Sequence, residues 1–222
     1  MKGGITILPE TLFSVGPVHI TDTIITTWIV MAVISVISFL ATRRLSIKPS
    51  VFQEITEAVF ESVEKTVMEV LPVEPWAAVP VLGTIWILIG FSNLIGLLPG
   101  LSTPTADLNT TFAFAVLSYS MTHVFGIKTR GIRGYLSHYK EPSWLLLPMH
   151  LMAEVTRTIA LAVRLFGNML SGEMIAAILI GVVGFLAPIP FDLLHIVIGI
   201  IQAYIFGILT LVFIAIGISP EG

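Results

Sequence analysis

An arginine sits inside an apolar run, Arg164 in the stretch Thr158 to Leu170 (TIALAVRLFGNML). At bilayer depth such a charge costs about 2.5–3.5 kcal/mol on insertion scales. A residue kept at that cost is kept for a reason, and its setting narrows that reason. Further polar groups surround it at helical spacing. Arg157, Arg164 and Ser171 are seven apart. Each such step turns a helix by only about 20°, so the three form one stripe. Asn168 lies one turn beyond Arg164, and Glu173 lies about half a turn around and about 13.5 Å farther along. Glu154 stands three residues before Arg157, within reach for local pairing, and His150 stands one turn earlier. In the last apolar segment His195 and Gln202 share a face by the same seven-residue step, with Asp192 a turn before them. A carboxylate and an imidazole at membrane depth can relay protons or hold water. Antiparallel packing of the two segments puts Glu173, His195 and Asp192 toward one side of the membrane. It puts Gln202 near Arg164 or Asn168. A polar path then enters from one side and ends at a fixed positive charge.

Spacing alone leaves plainer readings open. Arg157 also reads as a side chain snorkelling to the interface. Asp192 also reads as a helix cap. His150 and His123 read as interfacial or packing residues, and Gln202 as interhelical hydrogen-bond glue. Glu173 with His195, and Arg164 itself, also read as structural pairings.

The elements that must hold these groups are membrane-spanning. The 222-residue chain is 55% hydrophobic and 11% charged, with mean hydropathy +0.97; a soluble domain carries about 25% charged residues. Apolar runs of near-spanning length alternate with short polar punctuation. Spans are predicted over about 23–42, 80–98, 108–127, 144–180 and 191–218, within a single membrane domain over 1–222. Gly131, Gly134 and Pro142 predict a loop after the third span. Over about 50–71, Phe52, Ile55, Val59, Val63, Val67 and Val70 recur at spacings of three and four among five glutamates. That is an amphipathic helix on the membrane surface or against partner helices, with protein contact favoured by its acidity. No internal repeat is present. The start of the chain lacks the features of a signal peptide. With no cysteine, disulfides, thiolate nucleophiles and thiolate metal sites are excluded.

The basic residues set an orientation. Arg43, Arg44, Lys48, Lys65, Lys128, Arg130, Arg133 and Lys140 fall in two connections that alternating spans place on one side. The opposite connections, Pro99 to Asp107 and Gly181 to Asp192, carry no Lys or Arg. The positive-inside rule then predicts the N-terminus outside and the C-terminus in the cytoplasm.

The flanks of Arg164 carry a resemblance. Ala160-Leu161-Ala162-Val163-Arg164-Leu165-Phe166-Gly167-Asn168-Met169-Leu170-Ser171-Gly172-Glu173 closely resembles the signature of subunit a of F-type ATP synthases. Glu154-Val155-Thr156-Arg157 resembles that family's approach sequence, and His195 with Ile201-Gln202-Ala203-Tyr204-Ile205-Phe206 its second signature. Asn93-Leu94-Ile95-Gly96-Leu97-Leu98-Pro99 and Pro104-Thr105-Ala106-Asp107-Leu108-Asn109 match weaker motifs. The resemblance spans nearly the whole chain and is of bacterial type. It implies an all-α membrane protein with five membrane-crossing helices, the last two long and tilted, plus one amphipathic helix on the cytoplasmic side.

The resemblance also implies a role: a stator subunit, not catalytic alone, beside a rotating ring of c subunits in the bacterial inner membrane. Two offset aqueous half-channels serve that ring. Arg164 would make an arriving ring carboxylate release its ion and would block leak. Asn168, Glu173, His195 and Gln202 match positions of the outer half-channel, and His150, Glu154 and Arg157 fall near the inner one. No cofactor is implied, only a translocated H⁺ or Na⁺. The implied partners are the c-ring, the peripheral-stalk b subunits, indirectly the soluble catalytic sector, and the lipid bilayer, with no nucleic acid. Two positions depart from the family. Gly96 stands where an acidic residue is common, and Thr158 stands in place of a usual proline, so a helix kink is lost. The competing readings are a stand-alone secondary ion transporter and a purely structural assembly subunit. Neither an internal repeat nor a mid-membrane helix break favours the former, and no glycine-rich phosphate loop is present.

Overall fold

The computed structural model describes residues 11–15, 18–43, 50–71, 75–96, 98, 101–138, 147–184 and 186–218. Two short antiparallel strands, β1 (Thr11–Val15) and β2 (Val18–Thr21), lead into α1 (Asp22–Arg43). Then come α2 (Val51–Val70), α3 (Pro75–Ile95), a short 3-10 turn (Pro104–Ala106), α4 (Leu108–His138), α5 (Leu147–Val182) and α6 (Ile189–Ile218). The helices α1, α3, α4, α5 and α6 are long and apolar enough to cross a membrane. The sequence-predicted spans lie within or overlap these helices. The strand pair was not predicted. Lys48, Pro49, Lys140 and Pro142 lie outside the described residues.

Local signals set the helix ends. Ser50 caps α2, its Oγ accepting a hydrogen bond from the Gln53 amide at 3.4 Å. Pro190 falls near the start of α6, where a missing N–H is tolerated. Asp192 consequently lies inside the first turn of α6 and not at its cap. α5 runs unbroken through Thr158, whose hydroxyl donates to the Glu154 carbonyl at 3.0 Å. The loop expected around Gly131 and Gly134 is instead helical on either side of one break. Gly131 adopts φ 72°, ψ 161°, a conformation essentially confined to glycine. Beyond it the chain doubles back. Tyr135 is buried beside Gly126, where an added Cβ would strike its ring, and its hydroxyl bonds His123 Nδ1 at 3.2 Å.

α6 is the central packing element. Against α3 it runs antiparallel through small residues. Asn93 Nδ2 donates to the Gly199 carbonyl at 2.8 Å, Gly90 faces Ala203, and Trp86 lies directly over Gly207. Against α4, the Ser118 and Thr210 hydroxyls bond at 2.8 Å. One apolar cluster joins Val63, Val67 and Leu71 beside α3 to Leu82, Phe125, Leu211 and Ile214. A second joins Ile85, Ile89, Phe114, Leu161, Leu165 and Phe206. Only the C-terminal half of the α2 stripe is covered this way; Phe52, Ile55 and Val59 stay exposed. One end of the bundle carries Asp22, Asp107 and Asp192, and the other carries Arg43, Arg130 and Arg133. At that basic end Arg130 donates twice to the Ile218 carbonyl, at 3.0 and 2.9 Å, satisfying an orphan carbonyl of α6.

Candidate functional site

The polar residues of α5 and α6 meet at successive levels. α5 buries Leu161, Ala162, Leu165 and Met169, a three-and-four spacing that fixes which face turns inward. Arg164 and Asn168 fall off that face and are exposed, as is Arg157. Among the described residues, no side chain hydrogen-bonds or pairs with Arg164.

One turn toward the acidic end, Asn168 Nδ2 donates to Gln202 Oε1 at 2.6 Å. Gln202 is buried, so this amide bond also satisfies a group that would otherwise be costly to bury. The next level holds Glu173 and His195, both half-buried. His195 lies over Gly172, where any Cβ would collide with the imidazole. Glu173 Oε1 accepts from the Thr103 backbone N–H at 3.2 Å. Asp192 lies a turn farther out, half-buried.

The other direction gives the basic end. The Arg157 guanidinium lies 5.9 Å from the Phe213 ring centroid. Glu154 is half-buried and accepts from the Tyr119 hydroxyl at 3.5 Å. His150 is exposed. The Gly172 to His195, Asn168 to Gln202 and Arg157 to Phe213 contacts run in opposite chain directions, so α5 and α6 are antiparallel. The His123 ring lies tilted at 56° to that of Tyr119, 4.2 Å away centroid to centroid, and belongs to the reversal after Gly131.

A polar node was missed by residue-level reasoning. Asn93 Oδ1 accepts from the Thr105 hydroxyl at 2.6 Å while its amide holds α6. Asp107 accepts from the Thr23 hydroxyl at 2.8 Å and from the Asn109 amide at 2.9 Å. Ser102 donates to Asp22. Segment 102–107 is thereby tied to α1, α3 and α5. The signal was present in the Asn93 and Pro104-to-Asn109 motifs, but nothing local said that these two segments bond each other. No group of three or more potential metal ligands occurs among the described residues.

The family model for the ATP synthase A chain matches residues 24–215, which includes every level of this site. The chain belongs to the ATP synthase subunit a family. A Pelobacter propionicus relative, ATP synthase subunit a 2, is 48% identical over 93% of this chain and 90% of its own length. A Legionella pneumophila ATP synthase subunit a is 45% identical over 94% and 91%. An ATP synthase subunit a 1 from Hahella chejuensis is 43% identical over 90% and 86%. Family membership and five apolar helices make this a multi-pass, all-α membrane protein of the ATP synthase membrane sector.

Proposed function

We propose that this chain is the ion-translocating stator subunit of a rotary F-type ATP synthase in a bacterial inner membrane. Its exposed α5 face, with Arg164, would meet the carboxylates of a c-ring. Two half-channels would serve that ring, and peripheral-stalk b subunits would hold the stator in place. The acidic end is the outer side in this reading, with the N-terminus outside and the C-terminus cytoplasmic. Ions reach Arg164 past Asp192, His195, Glu173 and the Asn168–Gln202 pair. His150, Glu154 and Arg157 lie on the inner route. The ion is H⁺ or Na⁺, and the chain needs no cofactor and has no catalysis of its own.

The observation that carries this reading is the exposed Arg164, without a side-chain partner among the described residues, one helical turn from the Asn168–Gln202 pair. A fixed cation there attracts an arriving carboxylate, favours its charged form and so drives ion release. It also repels a cation that would cross without the ring. The test is Arg164→Ala in the assembled enzyme, with ATP-driven ion uptake into inverted vesicles measured per assembled complex. Uptake is expected to be lost. Normal uptake would reject the reading. Low complex yield with normal uptake per complex would make Arg164 a structural residue.

A further inference from the structure

We infer that Thr103 is a positioning residue of the outer ion path, seated on Gly96 and holding the Glu173 carboxylate through its backbone amide. The inference rests on the proposed role of Glu173. Thr103 is 3% exposed, and its amide is the described donor to Glu173, 3.2 Å from Oε1. Its side chain fills the space beside Gly96: a Cβ there would collide with Thr103 Oγ1. Any side chain at 96 therefore displaces Thr103 or is displaced by it.

The segment around Thr103 is fixed on both sides. Ser102 is bonded to Asp22 of α1, Thr105 to Asn93 of α3, and Asp107 to Thr23. The Thr103 carbonyl accepts from the Ala106 amide at 3.0 Å, closing the turn. α3 and α1 thus set where the amide points, and the amide sets where the carboxylate rests. A carboxylate aimed by a fixed N–H loses little freedom when an ion arrives, which is the general value of preorganised donors. The absence of a side chain at Gly96 gives Thr103 its seat.

The backbone permits deletion of the donor, together with replacement of the seated side chain. Thr103 has φ −67°, the angle proline imposes, so Thr103→Pro removes the N–H with little change in chain direction. ATP-driven ion uptake per assembled complex is expected to fall about tenfold or more, the scale of one hydrogen bond to a charged group. Thr103→Ser keeps the amide and should restore uptake. In a Glu173→Asp background the carboxylate is drawn back from the amide, so Thr103→Pro should change uptake by less than about twofold. An equal loss in both backgrounds would make Thr103 merely structural and overturn the inference. Gly96→Ala supplies a second route: it should lower uptake, and Gly96→Ala with Thr103→Gly, which keeps the amide but clears the seat, should recover it. Normal uptake by Gly96→Ala would also overturn the inference. None of these outcomes depends on Arg164, whose own variant tests the stator reading separately.

Discussion

At the residue scale the site is a sequence of single contacts across one seam. Arg164 and Leu165 are neighbours in sequence, yet Leu165 is fully buried and Arg164 is exposed. The helical turn of about 100° between them separates packing from electrostatics. Asn168 and Gln202 tie the two helices together, because a buried amide that finds a partner fixes the helix register. Their coupling is open to a double-mutant cycle with Asn168→Ala and Gln202→Ala, read as thermal stability in detergent. The interaction energy is expected at about 0.6–1.7 kcal/mol, the range for interhelical hydrogen bonds in membranes. Additive losses would show that the pair does not act as a unit. Spacing alone put Gln202 at the depth of Arg164 or Asn168, and helix geometry suffices for that. It could not foresee Thr103 meeting Glu173, because a backbone donor has no residue type to recognise.

At the element scale the decisive features are places where backbones approach closely or reverse. α3 can lie against α6 because Gly90, Gly199 and Gly207 leave room for Ala203, Asn93 and Trp86. The Trp86 Nε1 so placed, like the Ser92 hydroxyl, has no hydrogen-bond partner among the described residues. The reversal after Gly131 depends on a positive φ that other residues adopt only with strain. Gly131→Ala is expected to cost about 1–3 kcal/mol and to release Tyr135 from His123. Thermal unfolding of the assembled complex reads the first effect, and the exposure of Tyr135 to chemical iodination reads the second. An unchanged melting temperature with Tyr135 still protected would show that the break tolerates a side chain. Gly131 and Gly134 announced a break in the sequence, but not that the chain folds back on itself. A glycine permits a positive φ without requiring it, and the contact that selects it joins Tyr135 to Gly126, on opposite sides of the break.

At the scale of the whole molecule, hydropathy made the five spans legible, since each helix must satisfy its backbone internally. The α2 stripe was equally legible as a period, but which half is covered depends on where α3 and α6 stand. Bonds such as Thr23 to Asp107 join residues far apart in the chain and leave no periodic trace. Orientation can be measured directly because the chain has no cysteine of its own. Arg133→Cys is expected to react with an impermeant maleimide only from the cytoplasmic side, and Leu186→Cys only from outside. The reverse pattern would invert the positive-inside reading. The uncovered face of α5 also bears on biosynthesis. A copy inserted before any neighbour arrives must lodge Arg164 against lipid at about 2.5–3.5 kcal/mol. That penalty disfavours the solitary inserted state by roughly a hundredfold, since each 1.4 kcal/mol is about a factor of ten. If the proposed ring is the neighbour that covers this face, a ring already in place would spare the chain that penalty.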